Sequence, residues 1–532
     1  MSSAATTQKP AGAQAGGGQD RASMQDWIAV FAGALGALIA TLDISIVNSA
    51  LPQIQGEIGA SGTEGTWIST GYLVSEVVMI PLTAWLQRVL GLRNLLVGSA
   101  ILFTVFSMLC GLSQTLPMMI IGRVGQGFFG GALIPSAQTI IRTRLGPKDM
   151  PVGMSLFGLI VLIGPLFGPL IGGWLTENAS WQWCFFINVP VAAALTLLMV
   201  LGVPHEKTNF GELVHTDWLG IVGLSAGLSC LTIVLEDGQR DRWFESPVIV
   251  WLTVVMVIGF ILMAIAQMTA KKPVVKLKLL LNPSYGAVIM IIMVIGVVLY
   301  GILYLLPQFL SGIAGYNAEQ SGRVLFLSGI PAFCMMPFLP RLLRANLRMV
   351  VLFGLVCFAI SCFIDTHLTP LSSGPDFVVS QLLRGVGQIC AFMPLNQASV
   401  GAVSKEDAPD AAGLYNMARN LGGSIGLALI GVFIDRQVTN HSQTIGASVT
   451  NNSELAQARI AGQAAQFMQQ GGDLASGQLQ AMGSLAHTIQ QQAMVITYSE
   501  AFWLLGIALV AMTPLVFLLR APKPGQQMGP AE

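Results

Sequence analysis

Charge is scarce in this sequence of 532 residues: 10% are Asp, Glu, Lys or Arg and 53% are hydrophobic, where soluble domains carry about 25% charged residues. That excludes a string of soluble domains. The formal net charge is zero, so nothing calls for nucleic acid or an acidic partner. The five histidines (His205, His215, His367, His441, His487) lie outside the apolar runs, and the seven cysteines lie in or at the ends of them. Neither a disulfide framework nor a metal-ligand cluster can be built from that distribution. No Gly-Lys dipeptide occurs, which removes a phosphate-binding P-loop. No Ser/His/Asp set assembles at one depth, so an intramembrane enzyme finds no support either.

What is present is a series of apolar runs, each near the roughly 20 residues that cross a bilayer. Fourteen spans are expected, at about 27–50, 67–87, 95–112, 118–141, 152–175, 184–203, 217–236, 248–269, 285–311, 321–340, 349–366, 377–401, 411–434 and 498–519. With the N-terminus inside, 18 of the 26 Lys and Arg fall on the cytoplasmic side and four outside (Arg240, Arg242, Arg436, Arg459). The other four, Arg123, Arg323, Arg384 and Arg419, fall within spans. This bias places both termini in the cytoplasm. The expected class is an all-α polytopic membrane protein with a disordered tail at 1–26, a six-helix bundle at 27–203, and two inserted helices with a linker at 204–284. A second six-helix bundle at 285–519 carries an outer loop at 436–497, and a tail follows at 520–532.

An internal repeat supports that division. GRVGQGFFGGALIPSAQ in span four and LRGVGQICAFMPLNQ in span twelve share an arginine near the outer end, a Gly/Gln pair and a later Pro-x-x-Gln (Pro135/Gln138, Pro394/Gln397). PLTAWLQR at 81–88 and PFLPRLLR at 337–344 match in the same way. Both matches are eight spans apart, as if two helices had been inserted between related halves.

A charge inside the bilayer costs at least about 2.5 kcal/mol, so each one needs a partner, water or a task. Asp43 and Arg123 lie at matching depths in spans one and four, and Glu76 stands mid-span in the same half. Such carboxyls suit proton transfer, although a permanent Asp43–Arg123 ion pair would account for two of the three. Arg384 and Arg419 have no evident carboxylate at their depth, and Asp365, near a span end, is expected to reach water.

The run Gly153 to Leu175 contains no charge, yet holds GPLFGPLIGG at 164–173. Gly164, Gly168 and Gly172 recur every fourth residue and make a smooth face for close helix packing. Pro165 and Pro169 each remove a backbone hydrogen bond, allowing a bend. A packed, bendable helix between two halves is what rocking motion requires.

These residues together resemble the major facilitator superfamily, in particular its fourteen-helix drug:proton antiporters. LDISIVNSALPQI at 42–54 is similar to the family's first-helix motif, with Asp43, Asn48 and Pro52 in place. GRVGQG at 122–127 resembles the fourth-helix motif, whose arginine is implicated in proton coupling. Gly164, Gly168, Pro169, Gly172 and Gly173 match the fifth-helix antiporter motif, which marks exporters. WQWCFFINVP and NMARNLGGSIG are further likenesses. The loop after span two departs from the pattern: it reads AWLQRVLGLR, with Arg88 where the family carries Asp and Ala84 where it carries Gly. The usual inner-gate charge latch is therefore not expected.

The resemblance implies proton-driven export of hydrophobic or amphipathic compounds across a bacterial inner membrane, with protons as the coupling ion and no cofactor or metal. It implies coupling roles for Asp43, Arg123 and Glu76, and work with a periplasmic membrane-fusion adaptor and an outer-membrane channel. The glutamine-dense segment at 436–497, with apolar residues at helical spacing around Leu455, Ile460 and Phe467, offers a docking site. The substrate cavity is expected to be lined by Asn48, Tyr72, Gln126, Gln138, Tyr300, Tyr304, Gln308, Arg384, Asn396, Asn416, Arg419 and Asn420. Tyr300, Tyr304 and Gln308 form one stripe on span nine. Aromatics and neutral amides suit varied amphipathic molecules better than sugars. The alternative is an importer or uniporter of a small metabolite.

Overall fold

A computed structural model describes residues 22–519 apart from 61, 147, 207, 215, 271, 272, 336, 339, 340, 343–345, 405, 450–452 and 470–473. Most of the first tail, the whole of the second and part of the 337–344 repeat therefore lie outside the described residues. The described residues are helical and form no strand. The first group comprises α1 (Met24–Ile58), α2 (Trp67–Leu90), α3 (Leu92–Gly111), α4 (Leu116–Gly130), α5 (Leu133–Arg144), α6 (Met150–Asn178) and α7 (Asn188–Gly202). Then come α8 (Trp218–Asp237) and α9 (Pro247–Thr269). The last group is α10 (Pro283–Gly312), α11 (Ala318–Phe326), α12 (Gly329–Met335), α13 (Leu347–Ile364), α14 (Val378–Gly401), α15 (Ala408–Ser448), α16 (Glu454–Gln469) and α17 (Leu474–Ala511).

Eleven of the described helical segments are long and apolar enough to cross a membrane. The other three expected spans are also helical: span four is α4 followed end to end by α5, span five is α6, and span ten is α11 with α12. Helix ends follow local chemistry. Ser23 and Asp26 form a capping box at the start of α1, and Gly59 closes its end with φ 71°, a conformation that glycine adopts without cost. Glu206 accepts the Leu92 backbone N–H at 2.7 Å, so a carboxylate tops the positive end of α3.

Packing in the first six spans recurs eight spans later. α1 packs on α6 and α7 as α10 packs on α15 and α17. α3 packs on α4 and α7 as α13 packs on α14 and α17. The inserted α8 and α9 lie against each other through glycine: a Cβ at Gly223 would come within 2.7 Å of the Gly259 carbonyl oxygen. α8 in turn leans on α2 and α15.

We call the face where α1 begins the near face and the opposite one the far face. α15 has 41 residues and α17 has 38, or roughly 60 Å each at 1.5 Å per residue, about twice a 30 Å hydrocarbon core. Both therefore project beyond the far face, where α16 packs on α17. The glutamine-rich segment is helical over most of its described length.

Candidate functional site

The expected partners in the first half meet. Arg123 Nη1 lies 2.5 Å from Asp43 Oδ2, and both side chains are at most 1% exposed. Removing two charges from water is repaid only when the remaining lone pairs and protons are also satisfied. Here they are: Asp43 Oδ1 accepts from Gln126 Nε2 at 3.1 Å and Asn188 Nδ2 at 2.7 Å. Arg123 also donates Nε to the Ile68 carbonyl at 3.0 Å, and its guanidinium stands 4.4 Å from the centroid of the Tyr72 ring. The Tyr72 hydroxyl donates to the Ala40 carbonyl at 3.3 Å. Asn188 was not among the expected site residues, although it lies in the quoted WQWCFFINVP signature. Tyr72 and Gln126, expected to line a cavity, instead brace the ion pair.

Glu76, one turn beyond Tyr72 on α2, is 2% exposed and makes no hydrogen bond or ion pair to described residues. Arg419 belongs to α15 in the other half, where it donates to Asn420 Oδ1 at 3.2 Å and stands 5.7 Å from the Phe392 ring centroid. Tyr300 packs against Gly423, one turn beyond Arg419 on α15.

Arg384 does have a carboxylate partner. Its guanidinium pairs with Asp365, and both side chains are 2% exposed. The expectation that Asp365 reaches water was wrong, because α14 packs along α13 and sets Arg384 against Asp365 in the buried interior. Arg384 Nε and Nη1, and both amide atoms of Gln381 one turn earlier, find no protein partner.

The near face carries a latch the sequence reading did not expect. Arg88 pairs with Asp410 of α15 at 3.1 Å, and Lys276 bridges Asp407 at 2.5 Å and Asp410 at 3.2 Å. The arginine that replaces the family's Asp therefore reverses the sign of the charge presented by the first half, and an acid on the second half answers it. Burial pushes the Lys276 ammonium down, but hydrogen bonds and charge from Asp407 and Asp410 outweigh this and hold it above its ordinary value. Burial pushes Asp407 up, yet hydrogen bonds from Lys276 and Ser404 leave it below the usual carboxylate range. Two more hydrogen bonds cross the halves nearby, Asn416 Nδ2 to Gln138 Oε1 at 2.8 Å and Arg142 Nη2 to the Val403 carbonyl at 3.3 Å. The structure is thus closed at its near face. Toward the far face Asn48 and Gln308 are exposed and Tyr304 is half-buried.

The glycine ridge of α6 packs, as its spacing predicts, but within one half. A Cβ at Gly164 would fall 2.7 Å from Thr41 Cβ, one at Gly168 3.0 Å from the Ser45 carbonyl carbon, and one at Gly172 2.8 Å from the Ile46 oxygen, all on α1. The interface between halves is formed by other positions of α6: Phe167 meets Phe326 edge-on at 5.5 Å, and Gly158 lies against Met393. Gly173 faces open space, and Pro169 is half-buried within an unbroken helix. Asn396 is buried with both amide atoms unpartnered, and Asn416 and Gln138 each leave one amide atom free.

Two helical bundles with a buried, fully bonded charge pair and a charged seal at one face have the architecture of a membrane transporter. The Major Facilitator Superfamily profile matches residues 33–427, and the chain belongs to that family. It is 31% identical to the colistin resistance protein EmrB of Acinetobacter baumannii over 93% of this chain and 97% of that one. It is also 31% identical to the multidrug export protein EmrB of Escherichia coli K12, over 92% and 94% of the two chains. The human organic anion transporter MFSD10 shares the fold, with a TM-score of 0.60 at 14% identity over 91% of this chain and 99% of that one.

Proposed function

We propose that the chain is a proton-coupled exporter of hydrophobic or amphipathic small molecules, working by alternating access across a bacterial inner membrane with its near face in the cytoplasm. The observation that carries this reading is the Asp43–Arg123 network, in which a buried carboxylate is held by donors from α4 and by Asn188, the first residue of α7. A proton reaching Asp43 from the far side replaces the charge that Arg123, Gln126 and Asn188 hold. Arg123 is then free to relax, and the contacts of α1 with α4 loosen. Glu76, buried in α2 beside this network, is a second carboxyl that a proton can neutralise. The near-face latch opens, substrate enters from the cytoplasm, and proton release restores the network. One proton moving down 100 mV supplies about 2.3 kcal/mol. The names of relatives, multidrug export protein and fatty acid resistance protein among them, agree with apolar substrates. The far-face extension of α15, α16 and α17 is the surface on which a periplasmic adaptor, leading to an outer-membrane channel, would dock.

The test is proton flux in proteoliposomes carrying an inside-acid pH gradient, recorded on adding a panel of lipophilic drugs. Drug-triggered, saturable proton efflux is the expected result. Drug uptake that proceeds equally with the gradient collapsed would replace antiport with facilitated diffusion.

A further inference from the structure

We infer that the groove between α8 and α15 at the far face binds an anionic amphiphile, its apolar tail along the helices and its charged head at Arg436. The cavity measures about 570 Å3, within the range of small-ligand sites. One wall is Leu235 of α8 with Trp243 from the connection to α9; the other is a single face of α15. Along that face Ile425, Leu429 and Val432 give way to Arg436 at helical spacing. The change from apolar to polar falls where α15 leaves the expected bilayer at 434, so the groove has the polarity gradient of an amphiphile standing in the outer leaflet.

The sign of the head follows from the charges around it. Arg436 makes no ion pair or hydrogen bond to described residues. Of the acids at the same end of α8, Asp237 and Asp241 each lie 3.2 Å from Arg240, and Glu236, outside the lining, accepts from the Ser424 hydroxyl at 3.4 Å. Glu500 of α17 accepts from Gln437 at 3.2 Å and contacts His441 at 3.1 Å. Among the residues that line the groove Arg436 is the one that carries a charge, and an anion complements it.

The wall is also rigidly set. Arg242 and Trp243 are consecutive non-glycine residues in the left-handed region, with φ 56° and 53°, a strained conformation that persists only where the surroundings enforce it. The Trp243 N–H donates to the Gly238 carbonyl at 2.6 Å, and the indole lies over Gly238, where a Cβ would approach it to 2.8 Å. The strain holds a flat apolar ring in the groove. On this reading the inserted helices supply one side of a binding site, and the site does not depend on proton coupling or export.

The test uses the full chain in phosphatidylcholine nanodiscs with dibrominated stearate as a quencher of tryptophan emission. Saturable quenching is expected, with its saturable part lost in Trp243→Phe and its midpoint raised roughly ten-fold in Arg436→Gln, as for loss of a charge-assisted contact. Dibrominated stearyl alcohol, which has the same tail without the charge, should match the weak binding to Arg436→Gln. Because Arg436 is exposed and unpaired, its variant should melt at the same temperature as the parent. Replacing part of the lipid by phosphatidylglycerol separates the sources: suppressed quenching assigns the groove to a membrane phospholipid, and unchanged quenching to a free single-chain amphiphile. Equal midpoints for acid and alcohol, or full saturable quenching in Trp243→Phe, would overturn the inference.

Discussion

Restoring the family's acid at position 88 should harm this chain. Asp410 is 1% exposed and sits between two cations, Arg88 at 3.1 Å and Lys276 at 3.2 Å, which are themselves 35% and 37% exposed. Arg88→Gln leaves Lys276 in place, so the loss is that of a surface pair, about 1 kcal/mol, or roughly a five-fold shift from the closed near face. Arg88→Asp sets a second carboxylate against a buried one and should cost about 2 kcal/mol or more, roughly thirty-fold. The assay is pulsed electron paramagnetic resonance between spin labels at Gly146→Cys and Glu406→Cys, two exposed positions flanking the latch, with Cys334→Ser removing the exposed native thiol. The long-distance population should rise in the order parent, Gln, Asp, and the differences should shrink in 1 M salt, where the Debye length falls to about 3 Å. pH acts in a defined sense. The depressed Asp407 contributes above its ordinary 3.8 and is lost only as pH falls through its lowered value. The raised Lys276 contributes below its ordinary 10.5 and is lost only as pH rises through its raised value. The latch should therefore hold unchanged across the neutral range. A closed fraction in Arg88→Asp equal to that of the parent would refute the reasoning.

Three further outcomes follow from the same geometry. Asn188→Ala removes one of the three donors to Asp43 and should cost about 1.5–3 kcal/mol of charge-assisted bonding, shifting the pH profile of transport while leaving drug binding in place; an unchanged profile would remove Asn188 from the coupling network. Asp365→Asn or Arg384→Met alone breaks a buried pair and should lower stability by about 3–5 kcal/mol, whereas the double replacement should recover most of it, as read from melting in detergent; additive losses would contradict a coupled pair. Gly168→Val forces a side chain into the backbone of α1, an overpacking worth about 1–3 kcal/mol, and should reduce both the melting temperature and transport, while Gly173→Val, which meets open space, should do neither.

Much of the helical architecture could be read from apolar runs and charge placement because lipid imposes length and polarity on every crossing segment. The Asp43–Arg123 pairing was readable for a related reason: depth along a helix is countable at 1.5 Å per residue. Asn188 and Asp365 were harder. Asn188 sits among apolar residues where an amide has many possible tasks, and the burial of Asp365 depends on the packing of α14 along α13, which depth alone does not reveal. The latch was misread because a motif departure shows only one side. Arg88 breaks the family pattern, and its answering Asp410 lies 322 positions away, so the pairing requires the two halves to be in contact. The glycine ridge was legible as a ridge, but its period does not say which helix fills it.

The central claim is that protonation of Asp43 drives transport, and it is tested most directly by comparing the parent with Asp43→Asn in proteoliposomes under two protocols. One measures uphill drug accumulation driven by a pH gradient, and the other measures exchange of labelled for unlabelled drug with no gradient. The account predicts that Asp43→Asn abolishes gradient-driven accumulation while retaining exchange, since the binding site persists and only its coupling to protons is lost. Gradient-driven accumulation at the parent's level in Asp43→Asn would contradict it.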